Sequence, residues 1–311
     1  MLRFIAKRVV VMLLTMLALS FVVFYLVNLE PNLRKLAIEQ NNARMTSDQI
    51  EVWLQKEGYR RDFTTRYFEW IVNAVDGDFG RSTRFRTEVG KVVGERLGYT
   101  GILMFWVMFV MVPVSLLIGV LAGMLEGSAV DRSLSTFSII TTATPEYVSG
   151  IVFTVIFASV LGWFKGVATA GNITFENFTL PVITMAIYGT GYIARMTRAS
   201  MAEVMTSQYI RTARLKGLSF AAVVARHALR NALIAPFTVI MLQFPWLLTG
   251  VVIVEKLFNY KGFGWVLVEA AENNDINLIL ACSLISVAVV IITQLISDIG
   301  YAYLNPRIRV S

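Results

Sequence analysis

The chain has 311 residues, of which 56% are hydrophobic and only 16% charged. A soluble domain carries about 25% charged residues, so this composition is that of a membrane protein. The formal net charge of +7 sits beside apolar runs and reads as a topology signal, not as nucleic-acid binding, while a single cysteine (Cys282) and a single histidine (His227) leave no disulfide framework and no Cys- or His-based metal site within the chain.

In chain order, Arg3, Lys7 and Arg8 precede an apolar run from Val9 to Leu29. At about 20 residues the run is longer than the apolar core of a signal peptide, and no A-x-A-like site follows it, so residues 1–29 are expected to be a cytoplasmic N-terminus and a retained first span. Residues 30–99 are expected to form a helical extracytoplasmic segment. Thr46 and Gln49 give a capping-box start, followed by Ile50, Trp53 and Leu54 on an apolar face. Phe63, Tyr67, Ile71 and Val75 recur at four-residue spacing, Asp76–Gly80 reads as a turn, and Thr87–Leu97 reads as a helix entering the next span.

Residues 100–311 are expected to be the transmembrane core, with spans Thr100–Gly123, Glu146–Trp163, Leu180–Met196, Ala232–Glu255 and Asn277–Gly300. Pro145 divides the apolar stretch before the third span. Leu134–Ala143 therefore reads as a separate short helix near the inner surface, and Thr144 as the N-cap of the next one. Gly119 and Gly123, four residues apart, suit close helix packing. Trp163, Trp246, Tyr301 and Tyr303 read as interface anchors, and the sequons at Asn172 and Asn177 as chance matches.

Lysine and arginine placement orients the chain. With the N-terminus inside, the inner segments hold Arg3, Lys7, Arg8, Arg132, Arg195, Arg198, Arg211, Arg214, Lys216, Arg226, Arg230, Arg307 and Arg309. The short outer loops hold only Lys165, Lys256 and Lys261. The expectation is an all-α membrane protein of six spans with both termini cytoplasmic.

No phosphate-binding G-x-x-x-x-G-K-[ST] loop occurs, so the chain by itself is not expected to hydrolyse ATP. The spans are nearly free of ionisable groups. Glu146, Arg195 and Asp298 read as lying near inner ends, with Gln243 and Gln294 as the deep polar residues. Ion-driven carriers place acids in the membrane interior, so this distribution counts against one. The remaining unusual stretch is Ser207–Pro236, which contains Arg211, Arg214, Lys216, Arg226 and Arg230 and no acid. A solvated positive-inside loop would explain the charge. A docking surface for a soluble partner would explain the small residues too, with Ala213 and Gly217 four apart on one helix face.

The order R-T-A-R-L-K-G in that stretch resembles the EAA loop of binding-protein-dependent ABC importer permeases, with the pattern E-A-A-x-x-x-G appearing as Arg211-Thr212-Ala213-x-x-x-Gly217. The longer string Q-Y-I-R-T-A-R-L-K-G-L-S is similar to the version in dipeptide, oligopeptide and nickel importer permeases. So are the basic start L-R-F-I-A-K-R, G-D-F-G-R-S (Gly77–Ser82), V-I-V-E-K-L-F-N-Y-K-G-F-G (Val252–Gly264) and the tail Asp298–Arg309. Two departures, Leu29-Glu30-Pro31-Asn32 and Tyr260–Gly264, fall on the expected outer side, where they bear on the identity of the solute and of the binding protein.

The resemblance implies a type I ABC importer permease fold in a bacterial inner membrane, importing di- or oligopeptides delivered by a periplasmic solute-binding protein. It implies a heterodimer with a second homologous permease, two ABC ATPase subunits that bind the ATP and magnesium, contact with membrane lipid, no cofactor in this chain and no nucleic acid. It implies a coupling helix at about Met201–Leu215, within a loop of about 197–231. The coupling residues would be Glu203, Tyr209, Arg211, Thr212, Ala213, Lys216, Gly217 and Leu218, and the pathway residues Gln243, Trp246, Glu255, Phe258 and Trp265. The extracytoplasmic segment is expected to help seat the binding protein. The rival readings are the same machinery carrying another small solute, such as a nickel chelate, opine or glycoside, and a membrane receptor or scaffold that transports nothing.

Overall fold

The structure is a computed structural model that describes residues 2–41 and 45–304, with the side chains of residues 2–5, 7, 249 and 301–304 outside that description. The expectations for Tyr301, Tyr303, Arg307 and Arg309 therefore fall outside the described side chains. Among the described residues the chain is helical, with one isolated bridge, Arg81 to Glu88. It divides into two compact units, residues 1–100 with 261–292, and residues 101–260 with 293–311.

The first unit starts with α1 (Leu2–Val27), followed by α2 (Glu30–Asn41), α3 (Ser47–Lys56) and α4 (Phe63–Val75). Thr46 caps α3 with the reciprocal Gln49 bond expected from the sequence. A core of Phe24, Leu33, Leu36, Ile50, Leu54 and Tyr67 joins these helices. The stripe of α4 differs from its expected register. Tyr67 is buried and Phe63 and Trp70 pack beside it, whereas Val75 is 82% exposed. Helical positions i, i+4 and i+7 share a face, but four-residue steps drift round the helix, which is why Val75 leaves it. α4 lies along the apolar run of α1: Tyr67 stacks edge-on with Phe21 and Phe24, and its hydroxyl is 2.9 Å from Ser20 Oγ. Its outer face, Phe68, Val72 and Val75, is exposed and apolar, which suits lipid more than water.

Arg60 ties α2 to α3, donating to Glu30 at 2.8 Å and Glu51 at 2.6 Å. Hydrogen bonds from Arg60 and then Arg34 pull the Glu30 carboxyl down to about 2. A carboxyl with a depressed folded pKa stabilises above its unfolded value and loses that contribution as the pH falls toward the folded value. Both side chains are substantially exposed, so the pair is worth at most about 1 kcal/mol. Between pH 4.5 and 2 the thermal midpoint of Arg60→Ala should fall less steeply than that of the wild type. Parallel slopes would rule out this contribution.

The first unit also contains the start of α5 (Val89–Met124), then α13 (Phe263–Glu272) and the start of α14 (Ile276–Leu304). The turn expected at Asp76–Gly80 is present, with Gly77 and Gly80 at φ +83 and +76. The loop after it is organised by Asp275, which is fully buried. One carboxylate oxygen of Asp275 accepts from Ser82 Oγ at 2.5 Å and Arg84 N at 3.1 Å, and the other from Leu278 N at 3.2 Å. It thus caps α14 and fixes the Gly77–Ser82 motif with one side chain.

In the second unit α6 (Ala129–Ala143) is followed by α7 (Glu146–Phe153) and a π-helical continuation, Thr154–Val160. α8 (Phe175–Met205) packs on α6, on α7 and on α12 (Ile234–Leu257). The helix break at Pro145 stands as expected, but Thr144 does not cap α7. It ends α6, its hydroxyl donates to Ile140 O at 2.8 Å, and Pro145 occupies the cap position. Asn177 is buried, closing a capping box with Thr174 at the start of α8, where no glycan could be attached.

The expected close approach at Gly119 and Gly123 is present. A Cβ on Gly119 would stand 2.4 Å from Thr197 Cβ and 2.6 Å from Ala194 O, and one on Gly123 would stand 2.7 Å from Arg198 O. Gly191 of α8 is equally close to α6, with Ser138 O at 2.5 Å from its added Cβ.

Among the described residues three helical stretches, Arg8–Val27, Val89–Met124 and Ile276–Gly300, are each long and apolar enough to cross a membrane. The number rises to five if α6 with Glu146–Val160, bent by 103°, and Phe220–Ala232 with Ile234–Leu248, bent by 48°, each count as one span. The expected fourth span, inside α8, does not qualify alone. α8 is packed among its neighbours and carries Thr184, Gly189, Thr190, Gly191 and Thr197 on buried positions, so it has less need of lipid-facing apolar surface.

Candidate functional site

The basic stretch is built of four short pieces: α9 (Gln208–Leu215), α10 (Phe220–Val223), a π-helical turn (Val224–Ala228) and α11 (Leu229–Ala232). α8 ends at Met205 and the chain turns through Thr206 and Ser207, so the expected single helix Met201–Leu215 is two helices. Serine side chains stand at two of the breaks between these pieces. Ser207 Oγ bonds back to Val204 O at 2.6 Å, and Ser219 Oγ caps α10 by accepting from Ala222 N at 3.4 Å.

One side of α9, Ile210 and Ala213, is buried in a small core with Met201, Val223, Val224, Ala228 and Ala232. The other side presents Tyr209, Arg211, Thr212, Arg214 and Leu215, and Glu203 is exposed just before it. Leu215 is 80% exposed. The Arg214 guanidinium lies 5.9 Å over the Phe220 ring, and Asn231 Nδ2 donates to Tyr209 Oη at 3.0 Å. Below this surface Ser200 Oγ bonds Ala232 O at 2.8 Å, and Arg198 makes a two-pronged pair with buried Asp131 at 2.5 and 2.7 Å. The result is a basic face on which Leu215 is the most exposed apolar side chain, seated on a small buried core.

Gly217 does not share a helix face with Ala213. It has φ +80, its N–H donates to Arg214 O at 3.0 Å, and Leu218 N–H donates to Ala213 O at 3.4 Å. This pair of bonds is a Schellman stop, in which the residue after the cap must be left-handed. The spacing Ala213-x-x-x-Gly217 is thus that of a helix end, with Ala213 as the last buried contact and Gly217 as the turn. A Cβ on Gly217 would meet nothing within 4 Å. Asn, which visits the left-handed region readily, should therefore substitute well, whereas Val should cost about 1–2 kcal/mol and misdirect Leu218. Uptake assays should find Gly217→Asn near wild type and Gly217→Val strongly impaired. Equal loss in both would mean that the glycine is needed for close approach by a partner.

Four of the five expected pathway residues, Gln243, Trp246, Glu255 and Phe258, lie on α12 or at its end. Glu255 and Phe258 are fully buried in this chain. The cause is the end of α12. Asn259 turns at φ +51, Ala168 N donates to Phe258 O at 2.8 Å, and Phe258 packs toward Gly150. Gln243 is also buried. Trp246 is half-buried and stacks on Tyr188 at 4.8 Å with planes 16° apart, so it is a mid-helix residue and not a span-end anchor. Trp265 belongs to the first unit, with Lys261 Nζ 5.7 Å over its ring.

Two residues that sequence reasoning undervalued carry structure here. Asp275 precedes an apolar run as an N-cap does, and that signal was there to read. Glu146, in the first turn of α7, lies against the C-terminal half of α12: its Oε1 is 3.6 Å from where a Cβ of Gly250 would stand.

Residues 115–310 match the family described as binding-protein-dependent transport system inner membrane component. The chain is 33% identical over 311 residues to the glutathione transport system permease protein GsiC of Escherichia coli (strain K12), covering 99% of each chain. It is 29% identical over 322 residues to a candidate peptide permease protein of Brucella suis biovar 1, covering all of both. A crystal structure of an amino acid ABC transporter with histidines matches at a TM-score of 0.49 and 15% identity, over 68% of this chain and 94% of that one.

Proposed function

The chain belongs to the binding-protein-dependent transport system inner membrane component family, and we propose that within it this chain is one of two permease subunits of an ATP-driven importer of small peptides. It is a multi-pass inner-membrane permease, and its relatives are permease proteins rather than ATPases. The observation that carries the solute class is the end-to-end match to relatives named for glutathione and for peptide transport.

In this reading both termini and the α9 surface face the cytoplasm, and the six-span arrangement holds with α8 as the protein-packed fourth span. ATP and magnesium bind to two partner ATPases. One of the two ATPases presents a groove in which Leu215 is buried, with Arg211, Arg214 and Lys216 around its rim. Glu203, Tyr209, Thr212, Ala213, Gly217 and Leu218 shape and hold that contact. Closure of the ATPases on ATP moves α9, and the fixed base under α9 passes the movement to α8 and the helices packed on it. Residues 30–99 help to seat a periplasmic binding protein, and a second, related permease completes the pathway.

The test is purification of the chain from its native membrane in mild detergent, with mass spectrometry of what accompanies it, followed by uptake of a labelled tripeptide into proteoliposomes. Two ATPase chains, a second permease and ATP-dependent uptake are expected. A chain that emerges alone even after cross-linking would overturn the reading.

A further inference from the structure

In the second unit, helices α7, α8 and α12 meet in layers whose register can be read from contacts. Gly150 of α7 is opposite Thr184 of α8 and Leu257 of α12, at 3.1 and 2.5 Å from its added Cβ. One turn back along α7, two to three turns back along α12 and one turn on along α8, Glu146, Gly250, Trp246 and Tyr188 lie together. The Gly250 Cβ position is 3.6 Å from Glu146 Oε1 and 3.9 Å from Trp246 Cζ2, and Trp246 stacks on Tyr188.

This layer has an unusual chemistry for its place. It puts a carboxylate beside an aromatic pair drawn from α8 and α12, and all three side chains are only partly buried. Among the described residues no lysine or arginine pairs with Glu146. A carboxylate at membrane depth is costly unless it meets a cation. The absence of a side chain on Gly250 keeps the space between carboxylate and indole open, and an indole face attracts a cation that a carboxylate also holds.

We propose that Glu146, with Trp246 and Tyr188, forms a subsite for an organic ammonium group on the transported solute. For a peptide this is the free α-amino terminus, and in that identification the inference rests on the import reading above. Tyr188 sets the plane of the Trp246 indole, Glu146 neutralises the ammonium charge, and Gly250 leaves room for both. The solute's amino end would thus be held, weakly and briefly, by a carboxylate that no lysine or arginine among the described residues pairs with.

The test uses the purified whole complex without its binding protein, and equilibrium dialysis of a labelled tripeptide and of its N-acetylated form. The wild type should bind the free-amine peptide about tenfold more tightly than the acetylated one. Glu146→Gln, which keeps size and removes charge, should erase the preference, and Trp246→Leu should reduce it. No preference in the wild type, or a preference that survives Glu146→Gln, would overturn the subsite. Tripeptide uptake by the wild-type complex with its binding protein, measured in parallel, separates the two claims. Uptake without Glu146-dependent discrimination rejects the subsite alone, and absence of peptide uptake rejects the import reading.

Discussion

Leu215→Asp should abolish solute uptake while the chain reaches the membrane at its normal level. Leu215 is 80% exposed and ends α9 on the side away from the core of Ile210 and Ala213, so its loss costs the fold almost nothing. Burial of such a leucine in a partner's groove contributes about 1.5–3 kcal/mol. A carboxylate in its place would also have to be desolvated, which raises the total to about 4 kcal/mol or more, a thousandfold or greater loss in docking. Leu215→Gln, which has no charge to disturb the helix end, should give an intermediate loss. Uptake by cells, normalised to membrane-inserted chain, measures both. Undiminished uptake by Leu215→Asp would remove α9 from the coupling contact.

Gly119→Val should prevent the second unit from packing. The obstacle to a side chain there is the backbone carbonyl of Ala194 at 2.6 Å as well as Thr197 Cβ at 2.4 Å, and a helix backbone cannot move aside as a flexible side chain can. Overpacking typically costs about 1–3 kcal/mol, and a branched side chain against a carbonyl is at or beyond the upper end. α5 contains its own control. Gly94 has nothing within 4 Å of its Cβ position, so Gly94→Ala should be neutral or stabilise by up to about 1 kcal/mol through helix propensity. Thermal aggregation in detergent should therefore separate the two variants in opposite directions. A Gly119→Val chain as stable as the wild type would mean that α5 and α8 do not approach as described.

Much of this architecture is legible in the residues. The Thr46–Gln49 capping box, the break at Pro145, the Gly119–Gly123 approach and the acid-free basic stretch are all local patterns, and local patterns survive folding. What is missed depends on three dimensions or on competing local choices. α2 escapes notice because Glu30–Asn41 is mostly polar, although Pro31 in its first turn is a helix-start signal. Thr144 has the chemistry of a cap, but its hydroxyl finds Ile140 O first. Ala213 and Gly217 look like a helix face because four-residue spacing has two structural meanings, a shared face and a Schellman stop. The place of Glu146 beside α12 depends on the bend between α6 and α7, and an angle of 103° leaves no trace in composition. For the site, the basic face of α9 is readable in advance, whereas the exposure of Leu215 and the burial of Glu255 and Phe258 are not.

The central claim is that the α9 face is where this permease is driven. Its most direct test is a photoreactive residue placed at position 215 and activated in native membranes containing all the subunits. Capture of an ATPase chain at high yield, lost in Leu215→Asp chains carrying the probe at the neighbouring exposed position 211, is the predicted result. Capture of lipid, of the binding protein, or of nothing would contradict the account.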